Sequence, residues 1–296
     1  MTPPTKALAD RMAPTGSSAP TRGPGFGTKV RRVIGERFAL IIGLLVLAYM
    51  LLPIAVVMLM SFNDSSKNRN LYSFQRFTTN NWTNICGPQG MCSSLKTSLW
   101  IGVVATLISV AIGTMAAFAL VRHKFAGRSL ANIVIFLPMA SPEIVMGSSL
   151  LALFVSMHQS AHLGGVTILI AHVMFCLSFV IVTVKARLGG MNEDLESAAM
   201  DLYANERQAF WKVTFPLVLP GILAASLLSF SLSFDDFIIT NLNAGQTTTF
   251  PMFVWGSAQR GVPMQVNVIG TIMFLLAVVF VLMGDVFSRR SKRAKA

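Results

Sequence analysis

The feature that most constrains this chain is a series of apolar runs, each long enough to cross the hydrocarbon core of a bilayer. A spanning helix needs about 20 largely apolar residues at roughly 1.5 Å of rise each. Six segments reach that length: 38–61, 95–121, 130–157, 164–185, 216–240 and 265–287. Inside lipid, each backbone amide must be satisfied within the protein, so the runs are read as helices. The expected fold class is all-α, a polytopic membrane protein with six transmembrane helices. The composition agrees, with 53% hydrophobic and only 12% charged residues.

The net charge of +12 raises nucleic acid as a partner, and the placement of that charge argues against it. Lys and Arg cluster at the ends of apolar runs and not on an amphipathic or aromatic-interleaved surface. Of the 24 basic residues, nineteen fall in the N-terminal tail, the 122–129 and 185–215 loops and the C-terminal tail. The other five fall on the opposite side, Arg260 among them. This bias puts both termini in the cytoplasm. Residues 1–37, largely Pro, Gly, Ser and Thr up to about residue 28, are expected to form a disordered cytoplasmic tail. Residues 38–287 then form the six-span domain, and 288–296 a basic cytoplasmic tail. VRRVIGERF and the apolar run after it resemble an uncleaved signal anchor, since no small-residue cleavage site follows. Cys86 and Cys92 share the outer 62–94 loop. Two readings stand there: a disulfide closing ICGPQGMC, or two free thiols. Cys176, in span 4, reads as a small buried residue.

The loop between spans 4 and 5, KARLGGMNEDLESAAMDLYANERQAFWKVTFPLVLP, is the longest polar segment on the cytoplasmic side. Asn192 is a natural N-cap, and Glu193, Asp194 and Glu196 in the first turn favour the helix dipole. Leu195, Ala198, Ala199 and Leu202 form an apolar face, and a second helix, ANERQAFWKV, is expected to end before Pro216. The loop is either a connector on the membrane surface or a docking helix for a cytosolic partner. No Gly-rich phosphate loop with its Lys is present, so ATP hydrolysis would have to come from a partner.

The run ESAAMDLYA at 196–204, followed by VTFP at 213–216, resembles the EAA loop of ABC-importer permeases. With LPGILAASLLSFSLSFDDFIIT after it and SPEIVMGSSLL before it, the resemblance narrows to the PotC-like permeases of spermidine/putrescine importers. It covers nearly everything from 38 to 287. The resemblance implies a type I importer permease in the bacterial inner membrane, embedded in lipid and carrying polyamine. It also implies a second permease subunit, two ATPase subunits that bind the ATP and Mg, and an extracytoplasmic substrate-binding protein. No cofactor is expected in this chain. In that family the loop is the coupling helix that inserts into a cleft on the ATPase, which assigns Glu196, Ser197, Ala198, Ala199, Asp201 and Tyr203 to coupling. Two positions depart from the pattern. The motif glutamate falls on Ser197, beside Glu196, and the motif glycine falls on Tyr203. A positive φ at Tyr203 would cost roughly 1 kcal/mol or more, or the ring would serve as an aromatic anchor in the ATPase groove. Relatives also carry opines, aminophosphonates and other small solutes, so a different cargo on this fold is the alternative. A membrane scaffold or enzyme with no transport role is the third reading.

In span 5, Ser226, Ser229, Ser233, Asp236, Thr240 and Asn243 recur at intervals of three and four. On one continuous helix they form a polar stripe with Asp236 on it and Asp235 about 100° away. Serines alone would be explained by close helix packing. A carboxylate on the same line is better explained by a water-filled path. Counted from Pro216, Asp236 lies about 30 Å along the helix, at the outer mouth. In span 3, Pro138 and Pro142 interrupt the helix just before Glu143, and the freed carbonyls of a broken span can bind cations. The plain alternative is a kink, with Glu143 hydrogen-bonded to Asn or Ser. Trp255 is either an interfacial anchor or a cation–π contact. The expected substrate path is therefore Glu143, Asp235, Asp236, Ser229, Ser233 and Trp255, with Asp236 mattering more than Asp235. Ala105, Ser109, Gly113 and Ala117 form a small-residue seam in span 2. His172 is read as packing, and His158 and His162 are too sparse a set for a metal site.

Overall fold

The apolar runs are helical, and they break at glycine, at proline and at one unannounced point in the fifth span. The computed structural model describes residues 26–64, 73–157, 163–192, 194–259 and 261–293. The first helices are α1 (Phe26–Met60), α2 (Asn80–Thr83), α3 (Met91–Arg122), α4 (Arg128–Ala140), α5 (Glu143–Ser156) and α6 (Gly165–Gly189). Then come α7 (Asp194–Asp201), α8 (Glu206–Ala209), a π-helical turn (Phe210–Thr214) and α9 (Phe215–Asp235). The series ends with α10 (Ile238–Asn243), α11 (Phe250–Ala258) and α12 (Met264–Arg293). Five continuous segments are long and apolar enough to span alone: Leu40–Met60, Met91–Arg122, Gly165–Gly189, Glu206–Asp235 and Met264–Gly284. α4 and α5 reach that length only as a pair, bent by 105° at Ser141–Pro142.

Contacts divide the chain into a unit up to Val56 and a second unit from Val57 onward. The first unit is helical from Phe26, so helix begins well before position 38; the expected tail up to residue 25 lies outside the described residues. Its Leu44, Leu45, Tyr49 and Met50 side chains are exposed, as suits a face turned to lipid. At the other end of the chain α12 runs on to Arg293, so most of the expected basic tail is helical.

The core of the second unit is α3 against α6, with α9 packed across both. The small-residue seam lets this happen: Ala105, Ser109, Gly113 and Ala117 are all buried. A Cβ on Gly113 would lie 2.7 Å from Val180 Cγ1, so only glycine permits this approach. Ser109 Oγ donates to the Val173 carbonyl at 3.3 Å, Ile101 clusters with Ile168, and Leu120 with Leu188. Contacts therefore climb both helices together, and α3 and α6 run parallel. Two parallel helices require a return crossing between them. The bent α4–α5 pair is thus one broken span and not a re-entrant hairpin. α9 runs the other way, with Arg187 Nε donating to the Leu217 carbonyl at 2.9 Å and Cys176 Sγ to that of Ser229 at 3.4 Å.

Two expectations are corrected here. The helix around 205–213 does not stop before Pro216. It continues through the π-helical turn into α9, with Pro216 in the first turn of α9. Proline removes one N–H and crowds the carbonyl four residues back, and the wider π turn accommodates both. The polar stripe of span 5 is not on one continuous helix either, because α9 ends at Asp235 and α10 starts at Ile238.

At the end of the bundle where α3 begins, Cys86 and Cys92 are joined as a disulfide, the first of the two readings for them. Before it, Asn63 and Phe77 make an isolated antiparallel bridge. The Phe62 ring lies 5.4 Å from Phe77 and 5.3 Å from Trp82, and Asn81 Nδ2 donates to the Ser61 and Asn63 carbonyls.

Candidate functional site

The two breaks, in the α4–α5 span and after α9, meet at one cavity of about 630 Å³. Glu143 reaches it from the first turn of α5, Asp235 and Asp236 from the end of α9, and Trp255 from α11. Phe175, Phe234, Phe237 and Pro251 supply apolar wall, and among the described residues no Lys or Arg lines the cavity. Trp255 is exposed and its ring centroid lies 5.1 Å from that of Phe237, giving an open aromatic face beside the carboxylates. Exposed carboxylates and an aromatic face in a largely apolar cleft can hold a cation by charge and by the ring quadrupole.

The carboxylates differ in their surroundings. Glu143 and Asp235 are exposed to the cavity, whereas Asp236 is buried. Asp236 Oδ2 accepts from the Thr240 backbone N–H and hydroxyl, both at 2.7 Å, and Oδ1 accepts from the Ile239 N–H at 3.3 Å. His172 of α6 completes the cluster, with Nε2 2.8 Å from Thr240 Oγ1 and Nδ1 2.7 Å from Ser233 Oγ. Both aspartates line the cavity, but Asp235, placed off the stripe, is exposed, whereas Asp236 is buried and hydrogen-bonded within the protein. The physical reason is that the face of the fifth span carrying Ser229, Ser233 and Asp236 packs on His172 and Cys176 of α6, so the whole stripe is buried; the extended backbone of Asp236 (φ −64°, ψ 123°) then ends the helix. Ser229 and Ser233 are buried and do not line the cavity; Ser233 serves His172.

A second site lies at the other end of the bundle. Asn192 Oδ1 accepts the Asp194 N–H at 3.1 Å and so caps α7, as its side chain suggests. α7 buries no residue in this chain: Ser197, Ala198 and Asp201 are exposed, Ala199 is half-buried, and Leu195, Met200 and Leu202 stand open. Glu196 turns inward, accepting from Arg122 at 2.6 Å and from the Thr214 hydroxyl. Tyr203, just after α7, has φ +64° and is the one non-glycine residue with positive φ among the described residues. Its side chain is 99% exposed.

Residues 109–293 match the family of binding-protein-dependent transport system inner membrane components. The chain belongs to that family. This permease is 34% identical over 243 residues to the spermidine/putrescine transport system permease protein PotC of Escherichia coli (strain K12), covering 82% of this chain and 90% of that protein. It is 33% identical over 247 residues to PotC of Haemophilus influenzae (83% and 94% covered). The same identity, 33% over 247 residues, holds for the putrescine transport system permease protein PotI of E. coli (81% and 87% covered). A solved bacterial ABC transporter involved in import of the acidic polysaccharide alginate has a chain of the same fold, with TM-score 0.57 and 17% identity over 87% of this permease and 96% of that chain.

Within the permease, the structure brings together four of the six residues expected on the substrate path, namely Glu143, Asp235, Asp236 and Trp255. Sequence reasoning missed the roles of Thr240 and His172 around Asp236, and of Arg122 and Thr214 around Glu196. Thr240 carried a signal, being on the polar stripe; Arg122 carried none beyond its place at a helix end. His158, His162, Glu193 and Arg260 lie outside the described residues.

Proposed function

We propose that this permease forms half of the translocation path for polyamines in an ATP-driven importer. The observation that carries the reading is the cavity in which Glu143, Asp235 and Asp236 converge beside Trp255, with no basic residue lining it among the described residues. A polyammonium chain suits such a wall, and the relatives named for spermidine and putrescine support the same cargo. A second permease closes the other half of the path, and an extracytoplasmic binding protein delivers the substrate. Of two ATPase subunits holding ATP and Mg, one docks on this chain's α7 and Tyr203, through Ser197, Ala198, Ala199, Asp201 and Tyr203, with Glu196 tying the coupling helix back to the spans. Closure of the ATPases switches the spans between inward- and outward-facing states. The basic loops support a cytoplasmic placement for α7 and both termini.

The test is uptake of radiolabelled spermidine into proteoliposomes holding the whole complex, with putrescine, opine and aminophosphonate competitors. Polyamines alone should compete. Asp235→Asn and Glu143→Gln should each raise the half-saturation concentration by about tenfold, the size of one lost charge contact. Competition by an anionic solute, or unchanged uptake in both variants at equal expression, overturns the reading.

A further inference from the structure

The fifth span breaks at its acidic pair; Asp236 lines the cavity, while the other groups that hold the break, His172, Ser233 and Thr240, do not. Asp236 ends α9 with its carboxylate folded onto the first turn of α10, accepting the Ile239 and Thr240 N–H groups and the Thr240 hydroxyl. Because that hydroxyl donates to Asp236, it accepts from His172 Nε2, 2.8 Å away. Nε2 therefore carries a proton and also lies 3.3 Å from Asp236 Oδ2. Nδ1 of the same ring lies 2.7 Å from Ser233 Oγ. His172, Ser233 and Thr240 are all buried, and together they join α6, α9 and α10. With these donors satisfied by one another, Asp236 has little capacity left to replace the water of a cation. Asp235, the next residue back, is exposed on the cavity.

We infer that Asp236, His172, Ser233 and Thr240 are positioning residues: they fix the break in span 5 so that Asp235, opposite Glu143, presents its carboxylate to the cargo. This rests on the cation-path reading for its cargo but not for its geometry.

The test uses the complete complex carrying Asp235→Cys, where the one other free thiol among the described residues, Cys176, is buried. The rate at which the introduced thiol reacts with a cationic methanethiosulfonate reagent reports the geometry without any transported solute. Thr240→Val, nearly isosteric, removes the hydroxyl. It should change that rate severalfold and, with Asp235 intact, raise the half-saturation for spermidine by about tenfold while the maximal rate stays within about twofold. Thr240→Ser, which keeps the hydroxyl, should restore both readouts. If Thr240→Val fails to fold, Ser233→Ala tests the same cluster from its other end. An unchanged labelling rate overturns the inference whatever uptake does. So does an altered labelling rate with unchanged half-saturation in a complex that carries spermidine. A shift in labelling of the Asp235→Cys complex, where the complex with Asp235 intact takes up no polyamine, upholds the positioning and overturns the polyamine reading instead.

Discussion

Tyr203 holds a backbone conformation suited to glycine and gains no packing from its side chain, which is 99% exposed. A left-handed residue with a Cβ costs about 1 kcal/mol or more. Tyr203→Gly should therefore raise the thermal stability of the isolated permease by about 1 kcal/mol. If the ring anchors the ATPase, the same change should lower the amount of ATPase that co-purifies, and a variant that is both stabler and equally well bound refutes the anchor. Glu196 differs, because it points back to Arg122 and Thr214 and away from solvent. Glu196→Ala should leave ATPase co-purification intact and lower the solute carried per ATP hydrolysed, measured in the reconstituted complex. Neither role could be read from the motif. Spacing told that this stretch is a helix, while the inward turn of Glu196 depends on where α3 ends.

Among elements, the α3–α6 pair shows how much a four-residue period can reveal. Small residues at 105, 109, 113 and 117 lie on one helical face in any α-helix, so the seam is legible from sequence, and the structure buries all four. Its partner was not legible, since the seam does not say which helix fills it. Gly113→Val should destabilise the bundle by about 1–3 kcal/mol, because the added atoms meet Val180. A thermal melt in detergent checks this, and an unchanged melting temperature would show that the helices can separate freely. The break after Asp235 carries no proline or glycine, so a continuous helix was the natural expectation. What stops α9 is the competition of the Asp236 carboxylate and His172 for the hydrogen-bonding groups of the next turn.

For the molecule as a whole, the proposed docking can be tested apart from transport. Deleting residues 193–212 should abolish co-purification of the ATPase with the permease, as read by affinity purification in detergent, while α3, α6 and the disulfide remain outside the deleted stretch. A complex that survives the deletion would move the docking surface elsewhere. The sequence by itself determined the all-α class, the membrane-bound character and the family, because span length, proline breaks and local motifs are properties of contiguous residues. It also named the acids that meet at the cavity. Only the tertiary structure decided that α4 and α5 form one bent crossing, that Asp235 and not Asp236 is open, and that His172 belongs to the same cluster. Those outcomes depend on the register between helices far apart in the chain, and hydrogen bonds made across 61 to 68 residues leave no period in the sequence to read.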